Sequence, residues 1–519
     1  MSETRFALNG MVCTVDHLAS AAGIAMLDQG GSAADAAVAA NAVLAVTAPH
    51  MCGLGGDLFA LVHDGSAQDG SARDGSVAAL NASGRAGSGA DPDRLRAEGH
   101  DRMPHLYDIR SVPVPGCVDG WAALHERYGR LPLGDVLAPA IRHAEDGFPA
   151  SPLMGPGDFI GSLPGAGDFT HVKRPGDVIR RPGVARALRA VASGGRSGFY
   201  LGEFGEGLLE MGHGEYTEDD LALPNADWVD PIRVEAFGHH VWTTPPNSQG
   251  YLLLLALEIL GKLDPPRDPA DPQWTHLLVE AARAAGYDRL DALHESAVPP
   301  LDTADARRAL VDRERCSAPA GPPAATGDTT YLCAVDGDGM GVSLIQSNAS
   351  GYGSLLFEPR TGINLHNRGI GFSLAPGHPA EYGPRRRPPH TLSPALVTHP
   401  DGRLRSVLGT MGGDAQPQIV LQLVTRLLDL GESPGEVVSA PRWVLGMGGT
   451  GFDTWRSAPS VEVEERNPWG DGLRGRGHTV NELPYGSHFG HAQVIDVLPS
   501  GVLAGAADPR ALIGAVLGR

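Results

Sequence analysis

The stretch AATGDTTYLCAVDGDG, residues 324–339, puts two adjacent hydroxyls, Thr329 and Thr330, at a boundary. Small residues run up to Asp328, and a strand pattern begins directly after it. Such a pair can be linker residues that happen to start a strand. It can also be a latent amino terminus. If the Asp328–Thr329 bond breaks, Thr329 gains a free α-amine beside its own hydroxyl, and that amine can serve as the base that activates it. The hydroxyl would make the cut itself, attacking the Asp328 carbonyl with an N-to-O acyl shift. A flexible linker would then have a purpose, because its end must leave before a substrate can enter.

The elements needed to hold such a threonine can be read on both sides of it. Residues 16–29 and 32–48 read as helices; the second is small and apolar nearly all round, as buried helices are. Further helices are expected over 119–128, 133–146, 251–260, 273–285 and 416–429. YLCAVD (331–336) and GVSLIQS (341–347) read as strands around an Asp336-Gly337-Asp338-Gly339 turn. Another strand is expected near 404–410, and a terminal pair in AQVIDVL and GVLAGAAD. From about 293 the periodicity fades, and CSAPAGPPAATGD reads as a flexible linker over about 313–328. The chain is mixed α/β, helix-rich before Thr329 and strand-rich after it.

Composition narrows the function. Apolar residues make up 42% and charged residues 20%, a globular balance that can bury a large core over 519 residues. There are 41 Lys and Arg against 61 Asp and Glu, a formal charge of −20. Such a chain repels nucleic acid and anionic membranes. Its five cysteines, Cys13, Cys52, Cys117, Cys316 and Cys333, are odd in number and form no CxxC, which argues against a disulfide framework and a zinc knuckle. There is no HExxH and no GxxxxGK[ST]. Gly53, Gly55 and Gly56 miss GxGxxG because Leu58 stands where the third glycine belongs. No metal and no cofactor are expected. The first residues lack the basic and apolar regions of a signal peptide, and no apolar run is long enough to cross a bilayer. A reduced cytoplasmic protein is expected.

Many blocks, in order and along nearly the whole chain, resemble the γ-glutamyltransferase family of N-terminal nucleophile hydrolases. They include GGSAADAAVAANAVLAVTAPHMCGLGGDLFALVHDG, SVPVPGCVDGWAALHERYGRLPLGDVLAPAI, TTPPNSQG, GDTTYLCAVDGDGMGVSLIQS, RRRPPHTLSPAL and GTMGGDAQPQ. The resemblance implies a four-layer αββα sandwich. It implies a single structural domain made as one chain and cut into residues 1–328 and 329–519. Thr329 would be the nucleophile, Ser347 the hydroxyl that bonds it and assists processing, and Gly412 and Gly413 the oxyanion hole. Arg85, in NASGRAG, matches the arginine that holds the substrate carboxylate. The partners implied are a small carboxylate-bearing molecule and the chain's own cleaved half, with a homo-oligomer of such pairs as an option.

The departures from the family pattern bear on specificity. Arg368 and Gly371, in LHNRGIGF, stand where the family keeps the glutamine and aspartate that read the free amino-acid end. His390-Thr391 replaces a serine pair, and Ala349 replaces an asparagine that Asn348 could substitute. The stretch between GFSLAPG and RRRPPH is short, so a lid loop is expected to be missing. Loss of an acid and gain of Arg368 predict an anion-seeking pocket that favours acyl groups without an α-ammonium, glutaryl-like rather than γ-glutamyl. Two alternatives share the same residues. One is a biosynthetic enzyme that hydrolyses a C–C bond with the same threonine, as antibiotic-pathway members are proposed to do. The other is a pseudoenzyme that only binds a carboxylate.

Overall fold

The computed structural model describes residues 2–65, 77–317, 328–446, 460–486 and 489–519, with Asp328 described by its backbone. Two seven-stranded sheets form its centre. Across the first lie Ala515–Gly518, Gly10–Thr14, Asp328–Asp336, Met340–Ala349, Asp57–Asp64, Val77–Ala82 and Asp227–Val229. Across the second lie Arg5–Ala7, Leu503–Ala507, Ala492–Val497, Leu404–Thr410, Ala395–Thr398, His239–Thr243 and Ile232–Ala236. All neighbours in both sheets are antiparallel.

The sheets pack face to face. Alternate residues of the central strands, Phe59, Leu61, Tyr331, Cys333 and Ile345, meet Leu396, Val407, Ile495 and Leu503 of the other sheet. Small residues make the approach close. A Cβ at Gly409 would lie 2.4 Å from the Tyr331 ring, and one at Gly505 would lie 2.4 Å from Met11 Sδ. The outer face of the first sheet is covered by helices including His17–Asp28, Ala33–Thr47, Cys117–Tyr128 and Leu133–Asp146. That of the second is covered by Tyr251–Gly261, Pro272–Gly286 and Gln416–Val424. Every residue of Ala33–Thr47 is buried, and the helix starts with a capping box between Ser32 and Asp35. The result is the αββα sandwich.

Of the strands in these two sheets, seven precede the Asp328–Thr329 bond and seven include or follow it. The first part is therefore not merely helix-rich: it supplies four of the seven strands of the first sheet and three of the seven of the second, and neither part completes a sheet alone. The helices expected before residue 290 begin and end within two residues of their expected limits. The expected helix over 416–429 is α-helical only to Val424; Thr425–Leu430 widen into a π-helix that stops at left-handed Gly431. The expected linker begins later than residue 313. Cys316 N–H donates to the Arg476 carbonyl at 2.8 Å, and Ser317 N–H donates to Glu280 Oε2 at 3.1 Å. Its remainder, 318–327, lies outside the described residues.

Candidate active site

Thr329 sits at the end of a central strand, with its side chain on the face between the sheets. The register fixes this: Thr329 is two residues before Tyr331, which packs between the sheets, and side chains alternate along a strand. Thr329 pairs with Ser347, and Ser347 pairs with Asp57 on the next strand. Directly opposed residues project to the same side, so the two hydroxyls and the carboxylate form a row. Thr329 Oγ1 and Ser347 Oγ are 3.0 Å apart, and the Ala349 N–H donates to Ser347 Oγ at 2.8 Å. All three residues of the row are buried, Thr329 being 1% exposed. The ladder has an irregularity between Asp328 and Thr329, which breaks the even pairing at that peptide bond.

The facing sheet delivers its glycines to the same end. Along Leu404–Thr410 the contacts pass from Gly341, which touches Leu404 and Val407, to Tyr331, which faces Gly409. Gly341 pairs with Val335, so the strand is travelling towards Thr329 as it reaches Thr410. Gly412 and Gly413 come next, at φ 137° and 55°. These angles suit glycine and turn the peptide units out of the ladder. Among the described residues no backbone hydrogen bond takes up either N–H. Gln249 braces this loop, its Nε2 donating to the Gly413 carbonyl at 3.2 Å and to the Thr391 carbonyl at 2.9 Å. Beside it, buried Asp414 pairs with buried Arg289 at 2.9 Å.

Asp57 organises the other wall. Its Oδ2 is met by Arg368 Nε at 2.7 Å, His390 Nε2 at 3.0 Å and His366 Nδ1 at 3.2 Å. Arg368 Nη1 also donates to Thr391 Oγ1 at 2.9 Å. Burial alone would push the Asp57 carboxyl up; the Arg368 guanidinium and the two rings overcome it and hold the group well below the usual carboxylate range. His390 accepts the Leu392 N–H at Nδ1, which puts its own proton on Nε2, 3.0 Å from Asp57 Oδ2. Burial, with Arg368 close by, pushes its pKa down to about 3, so the ring is neutral. His366 has an acceptor at each nitrogen, Asp57 and the Pro113 carbonyl, so it donates to both only with two protons on the ring.

These contacts change the reading of Arg368. It is 1% exposed and its charge is met by Asp57, so it does not make the pocket anion-seeking. Arg85 is a third exposed, with Nη2 at 3.0 Å from Asp227 and Nη1 at 3.4 Å from Glu295. A substrate carboxylate would have to displace one of these acids. Ala349 is left-handed, at φ 73°, and has no polar group to offer. Gly371 lines a cleft of about 490 Å³ together with His105, Arg289, Phe372 and Pro389. Sequence reasoning missed Asp57, His366, Gln249 and Asp414. The stretches GLGGD, LHNRGIGF, TTPPNSQG and GTMGGD held them, but only the fold brings their side chains to the site.

A threonine at the head of a central strand in an αββα sandwich is the architecture of the N-terminal nucleophile hydrolases. The family model described as Gamma-glutamyltranspeptidase matches residues 19–517. The chain is 35% identical to the glutathione hydrolase-like YwrD proenzyme of Bacillus subtilis, over 98% of both chains. It is 36% identical to the oxamate amidohydrolase proenzyme of Klebsiella pneumoniae, again over 98% of both. The crystal structure of a cephalosporin acylase from Bacillus halodurans superposes with a TM-score of 0.89 at 34% identity, covering 100% of this chain and 97% of the other. The chain belongs to the γ-glutamyltranspeptidase family and is an enzyme of its hydrolase and acyltransferase class.

Two measurements check the electrostatics. Asp57→Asn leaves Arg368 buried without its anion and should cost about 3–5 kcal/mol in urea unfolding. The double variant Asp57→Asn/Arg368→Gln should recover much of that loss; a double variant as unstable as the single would refute the pairing. The second measurement is stability against pH. Burial pushes His50 and His491 down to about 4, alongside His390 at about 3. Each folded value lies below the unfolded one, so the unfolded state takes up protons first as pH falls. Stability is fully present above about pH 6.5 and is lost down towards pH 4, with each ring contributing up to about 1.4 kcal/mol per pH unit. A urea midpoint unchanged between pH 7.5 and 5.0 would refute this.

Proposed function

We propose that the chain is a self-processing threonine hydrolase acting on amides whose acyl group carries a carboxylate but no α-ammonium. The Thr329–Ser347 contact of 3.0 Å, at the irregular head of the strand, carries the first half. Before processing, the Thr329 hydroxyl attacks the Asp328 carbonyl while hydrogen-bonded to Ser347. The acyl shift breaks the Asp328–Thr329 C–N bond and frees the Thr329 amine, and hydrolysis of the resulting ester releases the Asp328 carboxylate and restores the Thr329 hydroxyl. In the mature enzyme that amine takes the hydroxyl proton, Oγ1 attacks the substrate carbonyl, and the oxyanion is met by the N–H groups of Gly412 and Gly413. The amine then protonates the leaving nitrogen, and water, or an acceptor amine, releases the acyl group.

The substrate class rests on which carboxylates are left. An α-ammonium brought to this wall would meet Gly371 and Ala349, which have no side-chain acid. It would also meet Asp57, already engaged by Arg368 and two imidazoles. Desolvating an ammonium without an anion is costly. Arg85 remains the cation for a substrate carboxylate, exchanging its hold on Asp227 or Glu295. One relative is named for oxamate, an acid amide that has a carboxylate and no ammonium. That name supports the same class.

Processing is tested by N-terminal sequencing of the purified protein. Two polypeptides are expected, the smaller beginning Thr329-Thr330-Tyr331, whereas Thr329→Ala stays one chain and is inactive. Efficient cleavage of Thr329→Ala, or another new terminus, would sink the assignment. Specificity is tested by comparing oxamate, glutaryl anilide and γ-glutamyl anilide. One of the first two should exceed the γ-glutamyl substrate in kcat/KM by about a hundredfold, the size of a few kcal/mol. Arg85→Ala should lower that preferred turnover while leaving processing intact. Faster turnover of the γ-glutamyl substrate would replace this reading with the plain γ-glutamyl one.

A further inference from the structure

Far along the chain from Thr329, two segments bring three metal-capable side chains together. His276 and Glu280 lie one turn apart on the helix Pro272–Gly286, and His478 immediately precedes the strand Thr479–Leu483. One donor atom from each lies within 4.8 Å of the others, and all three residues are buried. The residues of the two histidines are 202 positions apart, so the spacing along the sequence gave no sign of a ligand set.

The hydrogen bonds point the donors inward. His276 Nε2 lies 2.9 Å from the Asp312 carbonyl, which can only accept, so Nε2 carries the proton and Nδ1 presents a lone pair. Metal-bound histidines are oriented in this way, with the far N–H given to a carbonyl or carboxylate. The Nδ1 lone pair faces His478 Nε2 at 2.7 Å, while buried His478 Nδ1 has no partner among the described residues. Glu280 completes the set. Its Oε2 accepts from the Ser317 N–H and hydroxyl, and its Oε1 is 3.4 Å from Arg283, which leaves a lone-pair direction on the carboxylate.

We propose that His276 Nδ1, His478 Nε2 and the Glu280 carboxylate bind one divalent ion of the zinc class. Two imidazoles and one carboxylate with a fourth position for water suit Zn²⁺. On binding, the proton that His478 Nε2 shares with His276 moves to His478 Nδ1, and Glu280, which burial raises to about 7, ligates as the deprotonated carboxylate. Bonds of about 2.0–2.2 Å to the ion require the two imidazole nitrogens to move apart from their present contact. The site has a structural consequence that rests on the proposed processing. His276 and Glu280 precede Thr329 and His478 follows it, so the ion would clasp the two polypeptides to each other after cleavage. Asp312 and Ser317, also in the first polypeptide, hydrogen-bond to His276 and Glu280 at the same place.

The test uses the full protein, freed of metal by chelation, in both the processed form and the single-chain Thr329→Ala form. Zn²⁺ titrated against a chromophoric chelator should bind one equivalent in both forms. His478→Ala and Glu280→Gln should each weaken it at least tenfold. In the processed form, Zn²⁺ should raise the urea concentration at which the two polypeptides separate, and should not do so in His478→Ala. Co²⁺ added to the unaltered protein should give visible d–d absorption, which keeps the test informative if a variant fails to fold. Absent stoichiometric binding, missing Co²⁺ bands, or unchanged binding in folded His478→Ala would overturn the site. Because the single-chain form is included, failed processing cannot be mistaken for a failed metal site.

Discussion

The arrangement around Thr329 depends on one buried carboxylate. Asp57 lies in the same row as Thr329 and Ser347, and it answers Arg368, His366 and His390 through a single oxygen. A guanidinium with no anion could not stay dry at that position. With the anion in place, Arg368 becomes a rigid strut whose other end holds the Thr391 hydroxyl. The chain thus has a cation where its relatives' pattern has an amide, yet adds no open positive charge to the wall. The arginine shapes the site without advertising for an anion.

The second constraint is the distance between the two sheets. Glycines at 341, 409 and 505 remove side chains where the facing layer crowds in. Close packing allows a loop leaving one sheet, Gly412-Gly413, to reach the end of a strand in the other. The same interleaving accounts for how a cleaved chain would hold together. Each sheet combines strands from before and after Asp328–Thr329, paired directly with one another, so cutting that bond removes no ladder between strands. Local backbone geometry at the cut can change while the core does not.

The loop that carries the glycines is fixed from behind. Gln249 ties it to Thr391, and the Arg289–Asp414 pair anchors its next residue. Arg289 also lines the cleft at Gly371. The glycines are therefore flexible in type and fixed in place, which is what a preorganised pair of donors requires.

The sequence by itself determined the family, the helices on both faces, the hairpin after Asp328 and the position of the threonine. Those are matters of local periodicity, turn chemistry and block order, all of which survive when the chain is read as a line. It also exposed the substitutions at 349, 368, 371 and 390–391. It did not reveal what the substituted side chains touch. Arg368 reads as a free cation in sequence and is a neutralised strut in structure, because Asp57 lies 311 residues away. The His276–Glu280–His478 cluster was invisible for the same reason. Charge is a property of a residue type, but the field it makes depends on partners that only tertiary packing brings within hydrogen-bond distance.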